Sequence, residues 1–147
     1  MNTLNKAVEA SKFLLTLVDV ETGECMTNLK LQKLLYYSQG FILAILNKKL
    51  FEDPIEAWPY GPVVPTVYDI YKQYEKNPIP VEHLNGDFSI FTDNEKNIMT
   101  QVYSEYGQYS AWKLAEMTHE EMPWKSTPSR HVITEDKLKS HFSTLVQ

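Results

Sequence analysis

Apolar side chains recur with helical spacing in the first third of the chain and predict two helices there. Between residues 3 and 20 they fall at positions i, i+3, i+4 and i+7, and the pattern ends near Gly23. A second helix is predicted to begin at a cap provided by Thr27 or Asn28 and to reach about Asn47. Because its apolar residues cover more than half of the circumference, we expect this helix to lie at the centre of the fold.

One side of the second helix carries a row of residues in which the last two side chains are small. The row is Lys33, Tyr37, Gly40 and Ala44. Residues with little or no side chain allow two backbones to come close together, so another helix is predicted to pack closely at this row.

Proline dominates the segment PIEAWPYGPVVP, residues 54–65, and argues against a helix there. Proline lacks a backbone N–H and biases the preceding residue toward extended geometry, so a shaped loop or a short strand is expected. A third helix is predicted from Pro65 to about Glu75, because proline suits the first turn of a helix. Further along, residues 88–91 are predicted to form a short strand.

The remaining helices are predicted from their capping residues. Residues 92–95 read as a capping box, in which side chains satisfy two backbone donors, and the helix that follows ends at Gly107. Ser110 is expected to cap a short helix, and Thr134 a terminal one. The sequence therefore predicts a mainly α fold. We expect a compact bundle of five to six helices around the central second helix, with at most a small β element, in a single domain over residues 1–147.

Composition places the chain among globular proteins. Its 147 residues are 43% hydrophobic and include three Trp, nine Tyr and six Phe, a content that disordered chains lack. Fourteen basic and nineteen acidic residues give a net charge of −5, so a uniformly basic surface is excluded but a local basic patch is not. Because only Lys30/Lys33 and Lys48/Lys49 lie near one another, no direct nucleic-acid partner is expected. No membrane-spanning segment or signal peptide is recognisable. The single cysteine, Cys25, excludes an internal disulfide and suits the cytosol, so a cytoplasmic protein is expected.

Residues that catalyse reactions or bind cofactors do not form a recognisable pattern. Cys25 follows Glu24, whose negative charge disfavours a thiolate, so an unreactive thiol is expected. The run His119-Glu120-Glu121 lacks the second histidine that zinc proteases need four residues after the first. The five glycines are scattered and form no phosphate-binding loop. We therefore expect no catalytic residue, no metal and no cofactor.

Two clusters of aromatic residues and proline are the unusual feature of the sequence. Both are predicted to lie on loops between helices. Trp and Tyr combine a large apolar area with a polar tip, which suits them to protein–protein interfaces, but the same residues also plug loops onto a core. The sequence leaves both roles open. The first cluster is Trp58-Pro59-Tyr60-Gly61-Pro62, and the second runs from His119 to Lys125 and includes Glu121, Pro123 and Trp124.

Three segments of the chain occur in a characteristic order. They read LKLQKLLYYSQGFIL, LFEDPIEAWPYGPVVPTVYDIYKQY and LAEMTHEEMPW, and the most specific parts are the patterns E-A-W-x-x-G-P-V and T-H-x-E-x-P-W. Together they resemble the Panacea domain, the SocA/GepA-like antitoxin family. The resemblance runs from about Asn28 to Trp124.

This resemblance implies a mainly helical domain without known enzymatic activity, which serves as an antitoxin and binds a toxin protein directly, often on phages and mobile elements. One relative in the family instead presents its toxin to the ClpXP protease as an adaptor. Two other functions stay open: a phage or mobile-element regulator without a toxin partner, and an enzyme that uses His119 with Glu120 or Glu121. A polar cleft with a strongly perturbed titrating group would favour the enzyme, whereas a dry, aromatic-packed His119 would count against it.

Roles for the motif residues follow from their types and neighbours. Gly61 is expected to provide a turn geometry that side chains forbid. Trp58 and Trp124 are expected to pack against the central helix and hold the two clusters together. His119 is expected to tie the clusters by hydrogen bonds. The candidates for the exposed part of a partner-binding surface are Tyr36, Tyr37 and Tyr60.

Overall fold

A computed structural model of the chain describes residues 4–82, 84, 86 and 88–146. This described part contains seven α-helices, one antiparallel hairpin and three short 3₁₀ turns, so the mainly α fold predicted from the sequence is confirmed. The helices are α1 (Lys6–Thr16), α2 (Asn28–Leu46), α3 (Pro65–Tyr71), α4 (Asp93–Tyr106), α5 (Ala111–His119), α6 (Met122–Lys125) and α7 (Glu135–Ser143). The strands are β1 (Glu56–Trp58) and β2 (Gly61–Val63), and the 3₁₀ turns are Val20–Thr22, Lys72–Tyr74 and Phe88–Ile90.

The second helix lies at the centre of the fold, as predicted. Its N-cap is Thr27, whose side chain accepts a hydrogen bond from the backbone N–H of Lys30, and every residue from 31 to 40 is buried. Helices α1, α3, α4, α5 and α7 pack against it, and its contact with α7 is the most extensive. At that contact Gly40 faces Phe142, and a Cβ on Gly40 would lie 2.2 Å from the nearest ring carbons. The close approach predicted for the small-residue row is therefore present.

Two inward-facing polar residues of α2 show how differently such groups are accommodated. Gln39 donates to the carbonyl of Phe51 and accepts from the N–H of Leu50, so it fixes the chain that leaves the helix. Lys33 is also completely buried, but its Nζ has no hydrogen-bond partner among the described residues. Burial lowers the pKa of the Lys33 ammonium to about 7.

The helices α4, α5 and α7 begin at the capping residues that the sequence predicted for them. The N–H of Glu95 donates to Oγ1 of Thr92 at 3.1 Å, and the Glu95 carboxylate accepts from the N–H of Thr92 at 2.8 Å. This reciprocal pair is the predicted capping box. Ser110 and Thr134 cap α5 and α7 by accepting from the third residue beyond them.

The predicted strand at residues 88–91 is wrong, because Phe88–Ile90 forms a 3₁₀ turn. A strand needs a neighbouring edge to pair with, and β1 has both edges occupied. One edge of β1 pairs with β2, and the other edge is hydrogen-bonded to the segment around residues 131–133. There the N–H of Ala57 donates to the carbonyl of His131, and the N–H of Ile133 donates to that of Ile55.

The bounds of two helices differ from the predictions, and one helix was not predicted. The first helix begins after the cap Asn5 and ends at Thr16, earlier than expected, and Thr3 lies outside the described residues. The third helix ends at Tyr71 and continues as a 3₁₀ turn. The four-residue helix α6 replaces a predicted loop, which brings the described helices above the five or six expected. None of the helices in the described ranges is long and apolar enough to cross a membrane.

Candidate functional site

The first aromatic cluster forms the hairpin. Trp58 of β1 pairs with Gly61 of β2, and residues 59–60 form the turn between them. Gly61 has a φ of +113°, in the left-handed region, and a Cβ at this position would lie 2.6 Å from Cε of Lys33 and 2.8 Å from Oγ1 of Thr118. The absence of a side chain is thus required for the turn, as predicted, and also for the close approach of the hairpin to α2 and α5. The adjacent Pro62 is buried in β2.

The second cluster forms the end of α5 and the short helix α6, with Pro123 buried in the first turn of α6. Nε1 of Trp124 donates a hydrogen bond to the backbone carbonyl of Trp58 at 2.8 Å. The Trp124 ring stacks on His119 with 4.1 Å between centroids. The two clusters are therefore held together, as expected. His119 contributes by stacking and not by the expected hydrogen bonds, since its Nε2 is buried without a partner among the described residues.

Trp58 and Trp124 differ in where they pack. Trp124 packs against the hydrophobic core, and its expected contact with α2 itself stays a prediction. Trp58 instead meets Tyr68 of α3 edge to face at 4.9 Å and donates from Nε1 to the Glu56 carboxylate at 2.8 Å. The expectation that Trp58 packs against α2 is therefore corrected to a ring contact with α3, and Trp58 shares the lining of a groove with residues of α2.

Glu121 joins the second cluster to α2. The hydroxyls of Tyr36 and Tyr37 each donate to one oxygen of its carboxylate at 2.8 Å. Both tyrosines are 0% exposed, so the expectation that they belong to an exposed surface is wrong. Their rings are covered by Phe142 of α7, and Tyr106 of α4 stacks on Tyr37. A phenol hydroxyl inside a core needs an acceptor, and Glu121 supplies one for both.

Burial shifts the pKa values of Glu121, Tyr36 and Tyr37. It raises the pKa of Glu121, while the two hydroxyl donors act in the opposite direction. Burial, and after it the Glu121 charge, raises the pKa of both Tyr36 and Tyr37, so the phenols stay protonated donors. No hydrogen bond joins Glu121 to His119 within the described residues. His119, Glu120 and Glu121 nevertheless line one open pocket of about 720 Å³, so the use of His119 with either carboxylate stays a prediction.

Two further groups were considered for chemistry, and neither is buried. Glu120 and Cys25 are exposed. Over the residues that the structure describes, no group of three or more His, Cys, Asp or Glu side chains is arranged to hold a metal ion. His83 lies outside those residues.

Tyr60 is exposed, as expected, and it is paired with a residue that the sequence analysis missed. Its side chain is 57% exposed and meets the 64% exposed Trp112 edge to face, with 5.5 Å between ring centroids. The helical spacing of the sequence could have indicated that Trp112 is exposed. Trp112 lies in the first turn of α5, away from the buried face that Leu114, Ala115 and Thr118 form.

This exposed pair borders a groove of about 550 Å³, which we call the Trp112 groove. Trp58 and Tyr68 add further aromatic surface to it, and the guanidinium carbon of Arg130 lies 4.2 Å from the centroid of the Trp58 ring. Arg130 is the second residue that the sequence analysis missed. The buried side chains of Asn28 and Gln32 form the floor, and the exposed Lys72, Glu75 and Lys76 form the rim.

The region that holds both aromatic clusters also matches a known family. A family model described as "Antitoxin SocA-like, Panacea domain" matches residues 31–125. The chain belongs to this family. The matched region of this Panacea-domain protein includes the hairpin, the Glu121 contacts and Trp124, and it ends before Arg130 and α7.

A curated relative supports the same assignment over a shorter stretch. Antitoxin SocA from Caulobacter vibrioides (strain NA1000 / CB15N) is 46% identical to the Panacea-domain protein over 43 residues. That stretch covers 29% of this chain and 23% of the relative. No solved structure matches the chain.

Proposed function

We propose that this Panacea-domain protein is the antitoxin of a toxin–antitoxin pair and neutralises its toxin by direct protein–protein binding. Membership of the SocA-like antitoxin family supports this proposal, as does the local similarity to Antitoxin SocA. Neutralisation by binding needs a stable scaffold and an exposed patch, and it needs no reactive group. We therefore infer that the partner is a toxin protein and that nucleic acid is not bound directly.

The observation that carries the proposal is the exposed Tyr60–Trp112 pair beside Arg130. Trp, Tyr and Arg are the residue types most enriched at the energetic centres of protein interfaces. Here they stand on elements that are fixed to the core, since Gly61 seats the hairpin against α2 and Trp124 bonds to its backbone. A patch that is already ordered loses little conformational entropy when a partner binds.

The enzyme hypothesis has less support than binding. Both carboxylate oxygens of Glu121 accept hydrogen bonds from buried tyrosines, and His119 is stacked on Trp124. A general acid–base pair needs its two groups to reach a substrate. We infer that the protein is not an enzyme and that it acts in the cytoplasm as a single domain.

Co-expression in bacteria tests the proposal. Each open reading frame beside this gene is induced alone and together with it, and an affinity-tagged copy of the protein is then purified. Restored growth together with a co-purifying toxin is the expected result. Rescue without a co-purifying toxin, or the lack of any toxic neighbour, would refute the binding proposal and favour a regulator without a toxin partner.

The same experiment in cells without ClpXP separates two ways of neutralising the toxin. Rescue that persists without the protease indicates inhibition by binding alone. Rescue that is lost, with toxin that accumulates, indicates that the protein delivers the toxin for degradation. A protease-independent stable complex is the outcome we expect.

A further inference from the structure

We propose that the Trp112 groove binds an acidic segment of the toxin that also presents an aromatic side chain. This inference rests on the proposed function, because it states the chemistry of the toxin surface that the antitoxin recognises. Three properties of the groove support it: aromatic walls, an excess of basic over acidic side chains, and a floor whose polar groups are engaged within the protein.

The aromatic walls come from three separate parts of the chain. The hairpin contributes Trp58 and Tyr60, α3 contributes Tyr68 and α5 contributes Trp112. They form two edge-to-face pairs, Trp58 with Tyr68 and Tyr60 with Trp112. A further aromatic ring inserted between the pairs would continue this packing and remove apolar area from water. The walls therefore favour an aromatic side chain on the bound segment.

The floor presents little unmet polarity. Nε2 of Gln32 donates to Oδ1 of Asn28 at 2.8 Å, and Oε1 of Gln32 accepts from the N–H of Val64 at 2.9 Å. Nδ2 of Asn28 donates to the carbonyl of Tyr68 at 3.2 Å. These bonds fix the floor to the start of α3 and engage both the amide oxygen and the amide nitrogen of each residue. An apolar ring can cover such a floor at little cost in lost hydrogen bonds.

Arg130 supplies the principal positive charge. Its guanidinium lies over the Trp58 ring, and its backbone N–H donates to the carbonyl of Ala57 at 2.6 Å, so both ends of the residue are held. The side chain makes no ion pair in the described ranges. A guanidinium held over an aromatic ring still has N–H donors that can form two parallel hydrogen bonds to a carboxylate. Arg130 is therefore suited to bind an acidic residue of the partner.

The rim adds two more positive charges. Lys76 forms no ion pair within the described residues, and Lys72 pairs only with the exposed Asp69 at 3.4 Å. Among the described residues that line the groove, Glu75 is the single acidic one, against three basic ones. The groove is thus basic in a chain whose net charge is −5, and this contrast orients an acidic segment toward it.

A polyanion such as a nucleic acid fits the groove less well. Base stacking on the aromatic walls is possible in principle, but a phosphate backbone needs a track of basic residues. Glu75 stands at the rim, Asp69 lies beside Lys72, and the Glu56 carboxylate is bonded to Trp58. These acidic groups would repel successive phosphates, whereas a short peptide can place one or two carboxylates at Arg130 and Lys76.

Peptide titration tests the chemistry without knowledge of the toxin. The probe is the capped pentapeptide Glu-Asp-Phe-Asp-Glu, and the controls are Glu-Asp-Ala-Asp-Glu, Lys-Lys-Phe-Lys-Lys and adenosine monophosphate. Binding is followed by NMR on the indole N–H signals of the protein. Trp58 and Trp112 line the groove and Trp124 does not; because the Trp124 N–H is bonded to the Trp58 carbonyl, its signal is expected to shift less than the other two but not to stay fixed.

The expected result is a saturable shift of the Trp58 and Trp112 signals by the acidic aromatic peptide, with a Kd of about 1 mM or tighter. Arg130→Gln should weaken this binding about tenfold, and Arg130→Lys should restore only part of the loss. Lys125→Gln, which removes an exposed charge outside the groove, should leave the Kd unchanged. Lack of a shift up to about 5 mM peptide, equal binding of the basic peptide, or preferred binding of adenosine monophosphate would overturn the proposal.

A second arm separates failure of the groove from failure of the antitoxin function. Arg130→Gln and Trp112→Ala are introduced into the co-expression test beside the wild-type protein. If the wild-type protein rescues growth and both variants lose rescue while their folded content by circular dichroism is unchanged, the groove binds the toxin. If all three rescue equally, the antitoxin function stands and the groove proposal is refuted. If the wild-type protein fails as well, the proposed function itself is refuted.

Discussion

The indole Nε1 of Trp124 lies 2.8 Å from the backbone carbonyl oxygen of Trp58, and this bond joins two segments that are 66 residues apart in the sequence. Trp58 is the last residue of β1, directly before the turn that carries Tyr60. The bond therefore fixes the exposed turn through its backbone and leaves the side chains of the turn available for a partner.

The first prediction concerns the stability that this contact provides. Trp124→Ala should lower the free energy of unfolding by about 3 kcal/mol, since it removes both the packing and the hydrogen bond. Trp124→Phe, which removes only the hydrogen bond and part of the ring, should cost about 1 kcal/mol. Urea unfolding followed by circular dichroism measures both. Trp112→Ala is the control and should stay within about 0.5 kcal/mol of wild type; a wild-type midpoint for Trp124→Ala would contradict the structural role.

The second prediction concerns Glu121 as the shared acceptor of two phenols. Glu121→Ala should lower the free energy of unfolding by about 2–4 kcal/mol, because it leaves the buried hydroxyls of Tyr36 and Tyr37 without a partner. In a protein that already carries Tyr36→Phe and Tyr37→Phe, Glu121→Ala should lower the free energy of unfolding by much less. Glu120→Ala, at the exposed neighbouring position, is the matched control and should have almost no effect. Equal costs in the two backgrounds would show that the tyrosines do not depend on Glu121.

The third prediction concerns the contact between α2 and α7. Gly40→Ala should lower the free energy of unfolding by about 1–3 kcal/mol, because the new methyl group meets the buried Phe142 ring. Combining it with Phe142→Leu, which frees space, should cost less than the sum of the two single changes. Thermal unfolding of the three variants measures this coupling, and strict additivity would show that the two residues are not in contact.

The fourth prediction concerns the pH dependence that Lys33 imposes. Its pKa is about 7 in the folded protein and near 10.5 when unfolded. Between these two pH values the unfolded chain binds a proton at Lys33 that the folded protein does not, so the wild-type free energy of unfolding rises with pH over this window. Below the window Lys33 is charged in both states, and its unfavourable burial lowers the free energy of unfolding by its full amount. Lys33→Met should therefore stabilise the protein most at low pH.

Unfolding free energies at pH 6 and pH 9 check this sign. Lys33→Met should be more stable than wild type by about 1–4 kcal/mol at pH 6, because an unpaired buried charge is removed. The difference should narrow by about 2 kcal/mol at pH 9. Lys76→Met is the control, since Lys76 is exposed, and it should show no comparable trend. A difference for Lys33→Met that is the same at both pH values would argue against a buried lysine that loses its proton.

Features set by a few neighbouring residues could be predicted from the sequence. The capping box at residues 92–95 depends on four successive positions, and the turn at Gly61 depends on one residue between two constrained ones. The central position of α2 follows from the width of its apolar face. These are local or periodic properties, so one sequence is enough to reveal them.

Features that depend on distant partners could not be predicted in this way. Tyr36 and Tyr37 have polar tips that suggest exposure, but their acceptor Glu121 is more than eighty residues away and is brought to them only by the fold. The Trp112 groove combines side chains from α2, α3, α5, the hairpin and the chain before α7. No spacing in the sequence indicates that Arg130 lies on Trp58, because that contact depends on how the segment around residue 130 returns to β1.

The Gly40–Phe142 contact forms late during synthesis of the chain, because the two residues lie far apart in the sequence. A ribosome adds roughly 5–20 residues per second, so Phe142 is synthesised about 5–20 s after Gly40. During that interval the side of α2 that α7 later covers is bare, and the rings of Tyr36 and Tyr37 lack their lid. This face of α2 is therefore covered only after α7 has been synthesised, and slower translation lengthens the time for which it stays uncovered.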